Sequence, residues 1–143
     1  LSFICYDLSH IADFTKNLDT PTYKLMKKTL PGPYTFILNA NTSIPKLFKN
    51  KKKEIGIRIP DNNIPREIVK ELGNPIVTTS VKDNDMILEY SADPELIHEY
   101  FCNKVDLVIS GGYGKSTPST IVKCTESFPE ILRKGKGETT LFE

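Results

Sequence analysis

Residues 30–38 read LPGPYTFIL, a stretch that leaves the chain little freedom. Pro31 and Pro33 fix φ and remove two backbone donors, while Gly32 between them permits a left-handed backbone. A run of β-formers follows at once, so a rigid turn feeds directly into a buried strand, expected over residues 34–40. Thr35 stands one residue inside that strand, where its hydroxyl could face a ligand. A turn of this kind can also serve only to aim a core strand, so the choice falls to the rest of the chain.

The second informative stretch is EIGIRIP, residues 54–60, which alternates cleanly. Ile55, Ile57 and Ile59 face one side of the expected strand; Gly56 and Arg58 face the other. Arg58 is a lone cation on an otherwise apolar strand, beside a glycine that clears space. Arginine favours bidentate contact with carboxylate or phosphate. A structural salt bridge would leave the same sequence, and spacing does not choose between the two.

Strands and helices alternate through most of the chain. Residues 2–6 read as a short buried strand, followed by a short helix capped by Asp7 or Ser9 with Ile11, Ala12 and Phe14 on its apolar face. Thr20 caps a second helix with Pro21 at its first position. Residues 64–72 form an amphipathic helix stopped by Gly73. Residues 75–81, PIVTTSV, read as a strand whose Thr78, Thr79 and Ser80 hydroxyls suit phosphate oxygens or a turn cap. Asp93 and Pro94 start a helix burying Leu96, Ile97, Tyr100 and Phe101. Residues 105–109, VDLVI, read as a strand opening onto the loop SGGYGKSTPST, and strands follow at 119–124 and 130–133. Arg133, Lys134 and Lys136, with Gly135 and Gly137, read as a flexible cationic end. This order implies a single α/β domain with a mixed sheet and helices packed against it.

Several functional classes drop out. The formal net charge is +1, which exerts no global pull toward nucleic acid or anionic lipid. The densest positive run, Lys49 with residues 51–53, could be a solvated loop or a phosphate-backbone contact, with no aromatic residue inside it for base stacking. No apolar stretch is long enough to span a membrane. Cys5, Cys102 and Cys124 have no CxxC spacing, so neither a disulfide framework nor a zinc site is indicated; they read as small buried hydrophobes in a reducing, cytoplasmic compartment. His10 and His98 have no ligand spacing and read as helix-surface residues. Asp83, Asn84 and Asp85 lack the glycine and glutamate of a calcium loop. GKS at residues 114–116 fails as a P-loop, because the first glycine of that motif would fall at Ile109 and Pro118 follows in place of a helix. The gly-rich segment still suits an anion through its N–H groups. Leu1 opens inside a strand without signal-peptide features, and the chain reads as part of a longer polypeptide.

LPGPYTFIL, EIGIRIP, PIVTTS, GGYGKSTPSTIV and ILRKGKG, in this order and spacing, resemble the YrdC-type threonylcarbamoyl-adenylate synthase family over residues 1–137. The resemblance implies a twisted, open α/β sheet around a positively charged cavity. It implies an enzyme joining ATP, L-threonine and bicarbonate into threonylcarbamoyl-AMP with release of pyrophosphate. That product supplies threonylcarbamoyladenosine at position 37 of tRNA through downstream transfer proteins. Arg58 would hold the threonine carboxylate, Thr78 would offer a backbone contact to threonine, and Ser119 would touch threonine. Ser80 would face the ATP phosphates, Arg133 would bind nucleotide, and Thr35 would line the same cavity on the ATP side. No protein nucleophile and no protein metal cage are implied; Mg²⁺ would be held mainly by phosphate oxygens and water. Two departures stand out. The family's Pro-Thr and Lys-x-Arg segments would precede Leu1, and without them binding would be crippled, each lost charge-assisted contact being worth roughly 1.5–3 kcal/mol. The usual Ser-Ala-Asn is Ser80, Val81 and Lys82. Two other readings are a non-catalytic module for double-stranded RNA and the YrdC-like domain of a carbamoyltransferase; the absence of CxxC pairs counts against the second.

Overall fold

The computed structural model describes residues 1–42, 44, 53–81, 92–115 and 117–143. Most of the Lys49–Lys53 run, Leu47, Phe48, Lys82, the Asp83–Asp85 segment and Ser116 lie outside the described residues. The chain forms two compact units, one of residues 1–79 with 119–143 and one of residues 80–118.

The first unit is built on a six-stranded sheet. Its strands are β1 (Ser2–Ile4), β2 (Tyr34–Asn39), β3 (Glu54–Arg58), β4 (Ile76–Thr78), β5 (Thr120–Lys123) and β6 (Glu130–Arg133). They lie in the order β4-β1-β3-β2-β5-β6. The sheet is mixed, with β1/β3 and β2/β5 parallel and the other pairs antiparallel. Period-2 alternation divides its faces. Phe3, Phe36, Leu38, Ile55, Ile57 and Val122 belong to one hydrophobic cluster with Ile11, Met26, Ile59 and Phe142. The opposite face carries the polar partners Ser2, Thr35, Gly56 and Arg58.

Helix α1 (Thr20–Thr29) contributes Met26 to that core, fully buried. Its cap is Asp19, which accepts from the Thr22 N–H at 2.8 Å, one residue before the expected Thr20. Asp is as good a cap as Thr, and Pro21 then occupies the second helical position. Helix α2 (Asn63–Leu72) is capped by Asn62, closes on Gly73 at φ +82°, and packs against β1. The short helix expected after Tyr6 is a single 3-10 turn, Ile11–Asp13, without a side-chain cap; Asp7 instead accepts from its neighbour Ser9.

Residues 30–33 make the expected turn for a different reason. The Leu30–Pro31 bond is cis, and among the described residues only Gly73 and Gly112 are glycines at positive φ. Gly32 is required because a Cβ there would lie 2.3 Å from the Thr29 carbonyl oxygen. Its N–H donates to Ile59 O at 2.9 Å, tying the turn to the end of β3. Pro33 O accepts from Thr120 N at 2.9 Å, tying it to β5.

The cationic end is not free. Residue Gly137 is buried and Phe142 is 8% exposed, its ring 5.8 Å from Tyr34 and 6.0 Å from Phe36. The sequence reading missed this because a single Phe behind a Gly/Lys run gives no periodicity. Strand β4 spans three residues only, shorter than expected over 75–81. Cys5 is buried, Cys124 half-buried and Cys102 exposed, so burial is not general for the cysteines. His10 and His98 are surface residues, as expected.

The second unit contains α3 (Pro94–Phe101), capped by Asp93, whose carboxylate also accepts from Tyr113 Oη at 3.2 Å. None of its residues is buried, Tyr100 being 37% exposed, against the expected buried face. Residues 105–109 form no strand, and Leu107 is 74% exposed. β-propensity makes a strand only against a ladder partner, and this segment has none among the described residues. No described helix is long and apolar enough to cross a membrane.

The turn yields a test. Gly32→Ala must displace backbone and is expected to cost about 2–3 kcal/mol in urea unfolding. Gly73→Ala, with nothing within 4 Å, is expected to cost about 1 kcal/mol for its positive φ alone. Equal losses would contradict the close-approach explanation.

Candidate functional site

The site face of the sheet is fixed by register. Ser2 pairs with Gly56 on β3 and with Thr78 on β4. Ile37 pairs with Gly56, which brings Thr35, two residues back on the same face, beside Arg58. A Cβ at Gly56 would meet Ser2 Cβ at 3.1 Å and Thr35 Cγ2 at 3.4 Å, so the glycine lets two hydroxyl residues pack closely over the strand between them. Thr35 pairs with Ile121 on β5, and Ser119 follows two residues before it on the same face.

Arg133 reaches this face through a bulge. Lys123 pairs with Glu130 and Val122 with Ile131, but Ile121 pairs with Arg133, so Leu132 is an extra residue on β6. Without it the alternation would put Arg133 on the core face. A bulge re-aims a side chain in this way. Arg133 Nε and Nη2 donate to Ser119 O at 3.0 and 2.9 Å, and Nη2 also donates to Ser119 Oγ at 3.3 Å. Ser119 Oγ lies 2.8 Å from Thr35 Oγ1. Arginine can only donate. Of the two hydroxyl hydrogens, one is used between Thr35 and Ser119, and the other remains available to an incoming acceptor.

Arg58 is half-buried, and its Nε is enclosed without a hydrogen-bond partner among the described residues. Burial, and then the like charge of Arg133, hold its guanidinium below the usual arginine range. The ion pairs among the described residues join His10–Asp13, Lys123–Glu54 and Lys134–Glu143. None of them involves Arg58 or Arg133, so the salt-bridge alternative for Arg58 has no partner there. Two neighbouring cations without a counter-charge among the described residues, next to a free hydroxyl donor, suit an anion.

Thr78 belongs to the same row but its hydroxyl is already engaged. It donates to Ser2 O at 3.1 Å and lies 3.1 Å from Ser2 Oγ. Its backbone is thus the part that β4 presents. Ser80 is exposed and opens the second compact unit. The expected residues Thr35, Arg58, Ser119 and Arg133 are brought together in the first unit, with Thr78 further along its face. Sequence reading missed Ser2, although its alternation with Phe3 inside residues 2–6 was available as a signal. Among the described residues there is no cluster of three or more metal-ligating side chains.

Comparison with known proteins places this geometry in context. The Sua5/YciO/YrdC family model, described as "Telomere recombination", matches residues 1–135. An uncharacterized protein of Haemophilus influenzae is 39% identical over 99% of this chain and 68% of its own length. The crystal structure of Escherichia coli YciO superposes with a TM-score of 0.88 at 35% identity, over 99% of this chain and 68% of that one. Pyrococcus abyssi Sua5 complexed with L-threonine superposes with a TM-score of 0.77 at 21% identity, covering 94% of this chain and 40% of that one, a likeness of fold. The threonylcarbamoyl-AMP synthase of that organism is 26% identical over 88% of this chain and 38% of its own.

An unpaired, partly buried cation destabilises the fold that carries it. Arg58→Met keeps the stem and removes the charge. In urea unfolding it is expected to match the parent chain or gain ~1 kcal/mol. A loss of ~2 kcal/mol or more would mean that Arg58 has a protein counter-charge.

Proposed function

The chain belongs to the Sua5/YciO/YrdC family, and from that premise we propose that it is an ATP-dependent nucleotidyltransferase making threonylcarbamoyl-AMP and pyrophosphate from L-threonine, bicarbonate and ATP. The observation that carries the reading is the pair Arg58 and Arg133, adjacent cations without a carboxylate partner among the described residues. Threonine presents a carboxylate and ATP presents phosphates, and both need donors that bring no competing negative charge.

In this reading Arg58 takes the threonine carboxylate. The Thr78 backbone and the Ser119 hydroxyl complete the threonine contacts. Arg133, Thr35 and Ser80 serve the nucleotide. The threonine amine displaces water from bicarbonate, or adds to CO₂ with loss of a proton, to give the carbamate, whose oxygen then attacks the α-phosphorus as pyrophosphate leaves. The residues on the face are cations and hydroxyls, which position and neutralise and do not form covalent bonds. That donor set fits phosphate oxygens, so Mg²⁺ would enter with the triphosphate and be held by its oxygens and water. The product would pass to transfer proteins that modify tRNA at position 37. Contact with tRNA or double-stranded RNA is part of the same proposal and would follow the salt dependence of phosphate binding.

The test is pyrophosphate release with ATP, Mg²⁺ and bicarbonate, with and without L-threonine, measured on this chain and on the polypeptide its gene encodes. Release that requires threonine is expected. Arg58→Met is expected to raise the threonine KM by roughly ten- to a hundredfold, the worth of one charge-assisted contact. Folded protein that releases no threonine-dependent pyrophosphate in either form would sink the proposal.

A further inference from the structure

Arg133 stands in a poorly determined place. It ends a four-residue edge strand, directly after the extra residue Leu132. A bulge leaves its ladder locally unpaired, and an edge strand has a neighbour on one side only. Arg133 is exposed, so packing does not hold it either. Its guanidinium nevertheless makes three hydrogen bonds to one residue, Ser119.

We propose that Thr120 is the positioning residue that sets this corner, acting through residues 135–138. The proposal rests on the reading of Arg133 as a nucleotide ligand. Thr120 follows Ser119 directly and is fully buried. Its Oγ1 donates to Gly137 O at 2.6 Å and accepts from Gly135 N at 3.0 Å. One hydroxyl therefore pins the backbone two and four residues after Arg133 to the residue beside Ser119. Both ends of the short path between Ser119 and Arg133 are thereby fixed.

Tyr34 holds the same segment from the next strand. It pairs with Thr120 in the β2/β5 ladder, and its Oη donates to Glu138 O at 3.0 Å. Gly137 lies on its ring, so closely that a Cβ would come within 2.5 Å of Cε1. The Lys134–Glu143 ion pair, at 3.8 Å and exposed, adds little by comparison. The clasp is thus one hydrogen bond donated and one accepted by the buried Thr120 hydroxyl, one donated by Tyr34, and an aromatic face that admits only glycine.

The experiment follows the Arg133 Nε–H signal by ¹⁵N NMR in the protein without nucleotide, alongside Thr120→Val, Thr120→Ser and Tyr34→Phe. Thr120→Val removes the hydroxyl at constant shape. It is expected to shift the Arg133 signal toward that of free arginine and to raise its solvent exchange about tenfold or more. Thr120→Ser, which keeps the hydroxyl, is expected to retain the parent signal. Tyr34→Phe, which keeps the ring on Gly137, is expected to give an intermediate shift, and it carries the test should Thr120→Val fail to fold. An unchanged Arg133 signal in folded Thr120→Val, or in Tyr34→Phe where that variant alone folds, overturns the proposal. ATP affinity is read separately. A displaced Arg133 signal with unchanged ATP affinity upholds the positioning role and counts against Arg133 as a nucleotide ligand.

Discussion

The register of β2 against β3, with Phe36 opposite Ile57, is the constraint from which the rest follows. A slip of one residue flips the strand that moves: it would turn Arg58 into the core and send Ile57 to the other face, or do the same with Thr35 and Phe36. Both of those apolar residues are fully buried, so either slip would forfeit on the order of 2–3 kcal/mol for the side chain it expels. A slip of β3 would also bury the Arg58 charge in the apolar core. The hydrophobic core thus selects which face is polar. The turn at residues 30–33 reinforces the choice, since Gly32 N and Pro33 O fasten it to β3 and β5.

On the polar face, stability and binding pull in opposite directions. Arg58 and Arg133 repel, and burial penalises the Arg58 charge further. Sheets ordinarily quench such a cation with a carboxylate across the strand, as Lys123 and Glu54 do at 3.4 Å elsewhere on this sheet. Arg58 has no such carboxylate among the described residues, a local cost that an anionic ligand would relieve on binding. A neutral ligand would leave that cost unrelieved, which is how the proposed function would favour anions. Gly56 lets Ser2 and Thr35 close over β3 beside Arg58, where a Cβ would press on both.

Much of this was legible in the sequence where one local rule dominates. The Ile55/Ile57/Ile59 alternation separated Arg58 from the core, and Gly73 stops α2 as capping chemistry requires. Strand β6 falls on the expected residues 130–133. The misreadings come where tertiary partners decide. Residues 105–109 have the composition of a strand but no ladder partner among the described residues. Gly32 was read for its backbone freedom, whereas the Thr29 carbonyl makes it necessary. Residues 133–137 looked mobile because Gly and Lys dominate, yet Thr120 and Tyr34, over 100 positions from one of their contacts in the case of Tyr34, hold the segment down. The Leu132 bulge, which aims Arg133 at the site, leaves no trace in a run as short as ILR. The motif order carried the family; the bulge and the clasp are visible only once β5 and β6 are paired.

The central claim is that Arg58 and Arg133, without a carboxylate partner among the described residues, mark where the anionic substrates sit. Titrating L-threonine against ¹⁵N-labelled protein and mapping the perturbed amides tests it most directly. The account predicts shifts centred on Ser2, Gly56, Arg58, Thr78 and Ser119, along one face of the sheet. Shifts centred on another part of the molecule, such as the crevice lined by Tyr6, Tyr23 and Lys27, would contradict it.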